Sequence, residues 1–512
     1  MRPKNNPARP LRELAGLLGL RAGGLPGPGT RGSTVRGVTH DSRRVRPGDL
    51  YAALPGARFH GADFSQQAAQ AGANAILTDA AGEERALRTG LPVLVVDEVR
   101  ARLGEVAAWV YHEPAGDMLI IGTTGTSGKT TTTYLLEAGL RAAGHVTGLI
   151  GTVESRIGDE TVAAALTTPE STDLHALFAM MRERGVTATA MEVSSHALAY
   201  GRVGGARYDV AIFTNLSQDH LDFHPDMQDY FSTKARLFTP AYSGVGVVNL
   251  DDLYGQALTE VARIPVTTFS ASGDPAADWR ALDVRVGADG GAFRVVGPGG
   301  IEADASVRLP GPFNVANALS AIVGLVEAGV PLHTAVDGVA NAPGVPGRME
   351  QVDEGQDFTA IVDYSHKPGA VHAALTALRE VTAGRLIVVL GCGGDRDRGK
   401  RPLMGAEAAT LADEAIFTDD NPRGEDPLTI LAAMMDGAIK VDPGRRATIT
   451  VEPDRAEAID LAVRRAGPGD VVIVAGKGHE QGQYVGDAVL PFDDREVLRT
   501  ALRRRAGEHG EP

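Results

Sequence analysis

A buried apolar strand at 118–122 runs directly into Gly-Thr-Thr-Gly-Thr-Ser-Gly-Lys-Thr-Thr at 122–131, and a helical pattern over 130–142 follows. No other stretch limits the possible folds as sharply. Glycines let a backbone approach oxygen atoms closely, and the free N–H groups at a helix start favour an anion. Strand, glycine-rich turn and helix in that order predict a phosphate-binding loop, with Lys129 reaching the β- and γ-phosphates of a nucleotide and Thr130 placed to ligate Mg²⁺. The competing reading is a plain strand-to-helix turn. The general phosphate-loop pattern has glycine where this chain has Thr123; the spacing here is Gly125-x-x-Gly128-Lys129-Thr130.

Around the loop, apolar runs at 146–150, 188–193, 210–214 and 245–249 alternate with helical stretches. That alternation predicts a mostly parallel sheet covered by helices on both faces. An antiparallel ribbon over 282–307 and a helix over 319–328 complete a central domain at 113–343. Before it, 1–112 reads as a small α/β domain: a helix at 11–20, a Gly/Pro stretch at 22–32, strands at 35–39, 50–54, 75–78 and 93–96, and a helix at 64–70. After it, 344–512 reads as a second open α/β sheet with strands at 360–363, 386–390, 414–418 and 471–475. Three α/β domains agree with 512 residues at roughly 150 per domain. Disorder is expected only at 1–10 and 505–512.

Composition removes several function classes. The net charge is −15 without a basic stripe, so no nucleic-acid partner is expected. No apolar run approaches the roughly eighteen residues of a membrane helix, and no apolar segment follows Arg2 and Lys4 as in a signal peptide. A cytoplasmic protein without membrane insertion follows as the expectation. The single cysteine, Cys392, allows no internal disulfide; beside a glycine turn with no histidine neighbour, it reads as a small buried residue.

A set of motifs in fixed order then adds a resemblance. Met191-Glu-Val-Ser-Ser-His196, Asn215-Leu-Ser-Gln-Asp-His-Leu-Asp222, Leu309-Pro-Gly-Pro-Phe-Asn-Val-Ala-Asn317, Pro346-Gly-Arg-Met-Glu350 and Asp363-Tyr-Ser-His-Lys-Pro368 follow the phosphate loop in turn. Together they resemble the Mur ligases, with Ser127 and Ser365 where that family usually has Asn and Ala. The resemblance implies an ATP-dependent ligase that phosphorylates a substrate carboxylate and lets an amine displace the phosphate. It implies ATP contacts from Gly125, Thr126, Ser127, Gly128, Lys129, Thr130, Thr131, Asn314, Asn317, Arg348, Asp363 and His366, with the nucleotide between the second and third domains. It assigns catalysis to Lys129, Glu192, His220 and Lys234. Mg²⁺ would be held by Thr130, Glu192 and His220, and Lys234, as a CO₂-derived carbamate, would support a second Mg²⁺; read alone, Lys234 is a solvated helix lysine and His220 a loop histidine.

Asp41-Ser-Arg43 with Gly48-Asp-Leu-Tyr51 is similar to the uridine-binding segment of the Mur ligases that add the third peptide residue. The resemblance points to UDP-MurNAc-dipeptide as substrate, contacted by Ser42, Arg58, Phe59, Thr167, Thr168, Ser194, Tyr200 and Arg202; Tyr200 stands where relatives often have Gln. Asp420, Asn421, Pro422 and Arg423 resemble the motif of ligases that add meso-diaminopimelate. Arg423 would hold the distal carboxylate bidentately, Asp420 and Asn421 would accept from its ammonium, and Arg396, Gly476 and Glu480 would complete the pocket. A turn is the plain reading of Asn421-Pro422. The expected partners are small molecules and the expected state is a monomer. Addition of lysine or ornithine, a folylpolyglutamate synthetase-like ligase and a nucleotide-dependent switch remain as alternatives; the second explains neither Asp420–Arg423 nor the domain-sized segment Met1–Tyr111, and the third neither Lys234 nor Asp363–Pro368.

Overall fold

The computed structural model describes residues 2–21, 25, 32–162 and 166–508. The expected Gly/Pro stretch lies almost wholly outside them. The chain forms two compact units, Met1–Phe269 with Ile322–Ala335, and Ser270–Ala321 with Val336–Pro512.

The first unit contains two sheets. Gly37–Thr39, Asp49–Ala52, Ala75–Thr78 and Val93–Val95 pair in that order, all parallel. The first three are buried throughout, as parallel strands covered on both faces must be. Helix Val99–Val110 supplies Leu103, Val106, Ala107 and Val110 to their core, and Ala176 and Ala179 of helix Ser171–Glu183 join it. The segment expected to be loose at the start is anchored instead. The backbone N–H groups of Lys4 and Asn5 donate to the Glu183 carboxylate at 2.9 and 2.5 Å, and Arg9–Pro10 pairs with Thr34–Val35. At the other end, helix Asp494–Glu508 carries past residue 505.

The larger sheet places the phosphate-loop strand. Its order is Glu160–Val162, Ser155–Ile157, Thr147–Ile150, Ala188–Glu192, Leu119–Thr124, Tyr208–Phe213, Ser243–Asn249 and Val266–Ser270; the strands from Thr147 onward run parallel and the first two form an antiparallel edge.

Helix Ser171–Glu183 also buries His175 completely. Its Nε2 donates to the Gly204 carbonyl at 2.9 Å, while Nδ1 is buried without a hydrogen-bond partner among the described residues. Burial pushes the imidazole down to about 4. The unfolded chain therefore takes up this proton first, so the stability His175 contributes is complete above the ordinary histidine range near 6.5 and is lost as pH falls towards 4. Between pH 7 and 5 the unfolding free energy of the native protein should fall by about 2 kcal/mol more than that of His175→Gln. Denaturant titrations with parallel pH dependence would remove His175 as the cause.

In the second unit, Trp279–Gly287, Gly290–Val296 and Glu302–Val307 form the expected antiparallel ribbon. The main sheet runs Glu350–Gln351, Thr359–Asp363, Val471–Ala475, Leu386–Leu390, Glu414–Phe417 and Thr448–Val451, parallel apart from the first strand. Arg455 and Asp494, both fully buried, pair at 2.7 Å. Arg455 also donates to the carbonyls of Asp419 and Ala475, which ties together the ends of two neighbouring loops.

Candidate active site

The expected residues of the larger sheet in the first unit gather where its strand order reverses. The loop strand Leu119–Thr124 lies between Ala188–Glu192 and Tyr208–Phe213. The crevice outside the carboxyl ends at such a point is where open α/β sheets bind ligands. Gly125 has φ +152°, and a Cβ there would strike the Thr214 hydroxyl, so only glycine fits. Thr214 and Asn215, just past the neighbouring strand, brace the loop. The Asn215 carbonyl accepts from Thr126 N at 2.9 Å, its side-chain oxygen from Ser127 N at 2.9 Å, and Thr214 Oγ1 donates to Ser127 O at 2.7 Å. Gly128 precedes helix Lys129–Ala142, which buries Thr130 and Thr131 in its first turn. Lys129 Nζ folds back to the carbonyls of Gly125 and Thr126 at 3.0 and 3.1 Å, which holds the ammonium over the loop.

Thr130 and Glu192 meet as expected. Thr130 Oγ1 donates to Glu192 Oε1 at 3.0 Å. Thr152 donates its N–H to the same oxygen at 2.7 Å and its hydroxyl to Oε2 at 3.0 Å. Thr152 was not anticipated; its only signal is its place, two residues beyond strand Thr147–Ile150. A hydroxyl beside a carboxylate is a hard-oxygen set that suits Mg²⁺, an ion that keeps several waters. Among the described residues no three His, Cys, Asp or Glu side chains gather to hold a metal, so water and phosphate oxygens would supply the rest of the shell.

Lys234, on helix Met227–Ala235, is buried and donates to Gly125 O at 2.9 Å and Thr124 Oγ1 at 3.4 Å. Its Nζ lies 4.7 Å from the Tyr230 ring centre, and the Tyr230 hydroxyl is 3.1 Å from Thr126 Oγ1. His220 reaches this group through its ring contacts with Tyr230 and His196. Its φ of +54° is a left-handed conformation for a non-glycine residue, the kind of strain that collects at functional sites. Burial lowers the His196 pKa, with His224 and Arg202 adding to the effect.

Behind Glu192 stand the residues expected to meet the peptide. Thr168 Oγ1 donates to Glu192 O at 2.9 Å and accepts from Ser194 N at 3.1 Å; Thr167 Oγ1 lies 3.1 Å from Thr152 Oγ1, whose one proton goes to Glu192, so Thr167 is the donor of this pair. Arg202 pairs with Glu170 at 2.8 Å, and its guanidinium carbon lies 5.5 Å from the Tyr200 ring centre. Glu170 also lies within ion-pair distance of Arg100 and was missed by sequence reasoning. Ser42, Arg58 and Phe59 belong to the loops of the four-stranded sheet. Ser42 Oγ donates to Gln67 at 3.0 Å, and Arg58 and Phe59 sit on an exposed turn.

In the second unit, Asp363 ends strand Thr359–Asp363 and accepts from the N–H groups of Met349 and Ser365, each at 2.8 Å. Arg348 stacks on Tyr364 at 4.1 Å. His366 Nδ1 donates to Tyr364 O at 2.7 Å; burial, then Lys367 and Lys400, keep this imidazole neutral at pH 7. On helix Pro312–Glu327, Asn317 donates to Asn314 at 3.0 Å and Asn314 to Pro310 O at 2.8 Å.

Three adjacent strands, Leu386–Leu390, Glu414–Phe417 and Val471–Ala475, deliver the loops expected to hold an amino acid. Lys477, fully buried, donates to Asn421 Oδ1 at 2.8 Å and Glu480 Oε2 at 3.3 Å. Asn421 Nδ2 donates to Glu480 at 2.9 Å, and Tyr484 N donates to Asn421 Oδ1 at 3.0 Å. The Asn421 oxygen is thus taken twice, which leaves Asp420 and Glu480 as the carboxylates for an ammonium. Gly476 packs beneath Asp420, whose Oδ2 stands 2.6 Å from where a Cβ would be. Pro422 is buried. Arg423 Nη1 donates to Gly394 O at 2.8 Å. Nearby, Glu425 is held down to about 2, chiefly by hydrogen bonds from Arg401. Arg396 is exposed on the 391–399 loop. Cys392 is the small buried residue expected, its thiol pushed up to about 12 by burial.

Comparison with known proteins gives concordant matches. Residues 34–111 match "Mur ligase family, catalytic domain", 123–325 "Mur ligase middle domain" and 347–478 "Mur ligase, glutamate ligase domain". A Streptomyces avermitilis protein named UDP-N-acetylmuramoyl-L-alanyl-D-glutamate–2,6-diaminopimelate ligase is 59% identical over 99% of both chains. A Corynebacterium glutamicum protein of the same name is 49% identical over 96% of each. A Leifsonia xyli protein, 45% identical over 98% of each, is named UDP-N-acetylmuramyl-tripeptide synthetase. A solved diaminopimelate ligase superposes with a TM-score of 0.69 at 30% identity, covering 98% of this chain and all of that one.

Proposed function

Because the chain belongs to the Mur ligase family, we propose that its two candidate sites serve one reaction, the ATP-dependent addition of meso-diaminopimelate to UDP-MurNAc-L-Ala-D-Glu. The enzyme is an ATP-dependent amide-bond-forming ligase of three-domain Mur architecture. The D-glutamate carboxylate attacks the γ-phosphorus of ATP, the bond to ADP breaks, and an acyl phosphate forms. The amine of diaminopimelate then attacks the acyl carbon, phosphate leaves with the bonding pair, and the amine gives up a proton. Lys129 and the loop N–H groups stabilise charge on the transferring phosphoryl group. Thr130 and Glu192, with His220 and carbamylated Lys234, would hold Mg²⁺, which spreads phosphate charge when bound. Ser42, Arg58 and Phe59 would receive the uridine, and Thr167, Thr168, Ser194, Tyr200 and Arg202 the sugar-peptide. Asn314, Asn317, Arg348, Asp363 and His366 would contact the nucleotide. The proposal places the protein in the cytoplasm as a monomer; no helix among the described residues is long and apolar enough to cross a membrane.

One observation carries the choice of amino acid. Arg423 is a half-buried cation whose side chain bonds a carbonyl and has no carboxylate partner among the described residues. Glu425, the nearest acid in sequence, is occupied by Arg398 and Arg401. A guanidinium held this way matches the distal carboxylate of diaminopimelate, which lysine and ornithine lack. Phosphate release should be measured with ATP, Mg²⁺ and UDP-MurNAc-L-Ala-D-Glu, adding meso-diaminopimelate, lysine or ornithine separately. Release with diaminopimelate alone is expected; release with lysine or ornithine instead would sink Arg423 as selector. Arg423→Ala should raise the diaminopimelate KM about 100-fold, the cost of leaving a desolvated charge unpaired, with the ATP KM unchanged. Equal loss of both would make Arg423 structural.

A further inference from the structure

The motif Asp420–Arg423 does not hold its own shape. Arg423 has φ +53°, a left-handed conformation that a non-glycine residue keeps only when its surroundings impose it. Those surroundings are the hairpin of Gly482–Val485 and Ala488–Pro491. Tyr484 O accepts from Arg423 N at 2.9 Å, and Gly486 N donates to Arg423 O at 2.7 Å, so both backbone polar groups of the arginine are bound by the hairpin. The guanidinium carbon lies 5.8 Å from the Tyr484 ring centre, with Gly394 O as its hydrogen-bond acceptor. Tyr484 N also fixes Asn421, and Gln483 Nε2 donates to Asp420 O at 3.0 Å. Three of the four motif residues thus take their position from one hairpin, which carries exposed Val489 and Leu490 and is half-exposed at Tyr484.

We infer that this hairpin sets the affinity for the added amino acid by fixing the direction of the Arg423 guanidinium, with Tyr484 as the positioning residue. The inference rests on the ligase reading above. Tyr484 bonds Asn421 and Arg423, both in the amino-acid motif, so its effect should be confined to one substrate.

The test uses the full chain and its Tyr484→Ala, Tyr484→Phe and Gly486→Pro variants in the phosphate-release assay. Tyr484→Ala should raise the KM for meso-diaminopimelate about five-fold, the size of a half-exposed cation–π contact, with the KM values for ATP and UDP-MurNAc-L-Ala-D-Glu unchanged. Tyr484→Phe should behave as wild type, because only the ring and backbone of Tyr484 are used. Gly486→Pro, which removes the N–H bound to Arg423 O and cannot keep the φ of +55° this turn needs, breaks the hairpin's hold on the arginine and should raise the same KM further. An unchanged diaminopimelate KM in Tyr484→Ala and Gly486→Pro would overturn the inference, as would a parallel rise in all three KM values. A wild-type chain inert towards diaminopimelate would overturn the ligase reading itself, a result distinct from any variant outcome.

Discussion

Lys129→Ala should reduce phosphate release by about 10³-fold or more while leaving the fold intact. Removing a single preorganised donor from a developing oxyanion costs about 10²–10³ in rate; here the group removed is also a cation that the loop itself holds over its mouth. Phosphoryl transfer leaves little covalent work to the protein, so positioning and charge supply most of the rate. The native amine is bound by two carbonyls of the loop and is only partly exposed. Truncation therefore forfeits two modest hydrogen bonds, at about 1 kcal/mol each, and opens no core cavity. Lys129→Arg should not restore turnover, because a planar fork cannot occupy the position of a compact ammonium. Single-turnover phosphate release and a thermal melt decide the matter together. Activity within tenfold of wild type would remove the phosphate-loop assignment, and a collapsed melt would move the effect from chemistry to folding.

What the sequence disclosed follows from how local each signal is. The loop could be read because strand, glycines and helix are consecutive; the structure adds the bracing by Thr214 and Asn215 and the contacts of Lys234 and Tyr230 with Gly125 and Thr126. The four short parallel strands near the start were legible because each is a short stretch rich in β-branched or apolar residues between turns. Thr152 and Glu170 were not legible: each matters through contacts far along the chain, Thr152 with Glu192 and Glu170 with Arg100 and Arg202, and a lone Thr or Glu carries no pattern. The anchoring of residues 2–10 depends on Glu183, Thr34–Val35 and the carbonyls of Trp109 and Val110, all well along the chain, so composition alone suggested a loose end. The Tyr484 hairpin did leave a signal, Gly486-Asp487 between two apolar pairs, a common hairpin turn. The Asp420–Arg423 motif was visible, but the double use of the Asn421 oxygen by Lys477 and Tyr484 emerges only when three strand ends lie side by side.

Glu192→Gln separates charge from shape at the centre of the site. The carboxylate is 1% exposed and accepts three hydrogen bonds, two from hydroxyls and one from Thr152 N. If the glutamine oxygen takes the place of Oε1, it keeps the bonds from Thr130 and Thr152 N, and the Thr152 hydroxyl can rotate to accept from the new amide. Every polar atom then remains paired, so the unfolding free energy should change by less than about 1 kcal/mol. What disappears is the negative charge beside Thr130. Turnover should fall about 10²–10³-fold, and the Mg²⁺ concentration for half-maximal activity should rise. Calorimetric titration of ADP should lose its enhancement by Mg²⁺, a readout that needs no turnover. Glu192→Asp, which keeps the charge but shortens the reach, should fall between the two. If Glu192→Gln kept the native Mg²⁺ dependence in both measurements, Glu192 would be a brace for Thr130 and Thr152, and the cation would have to be held by other oxygens around the loop.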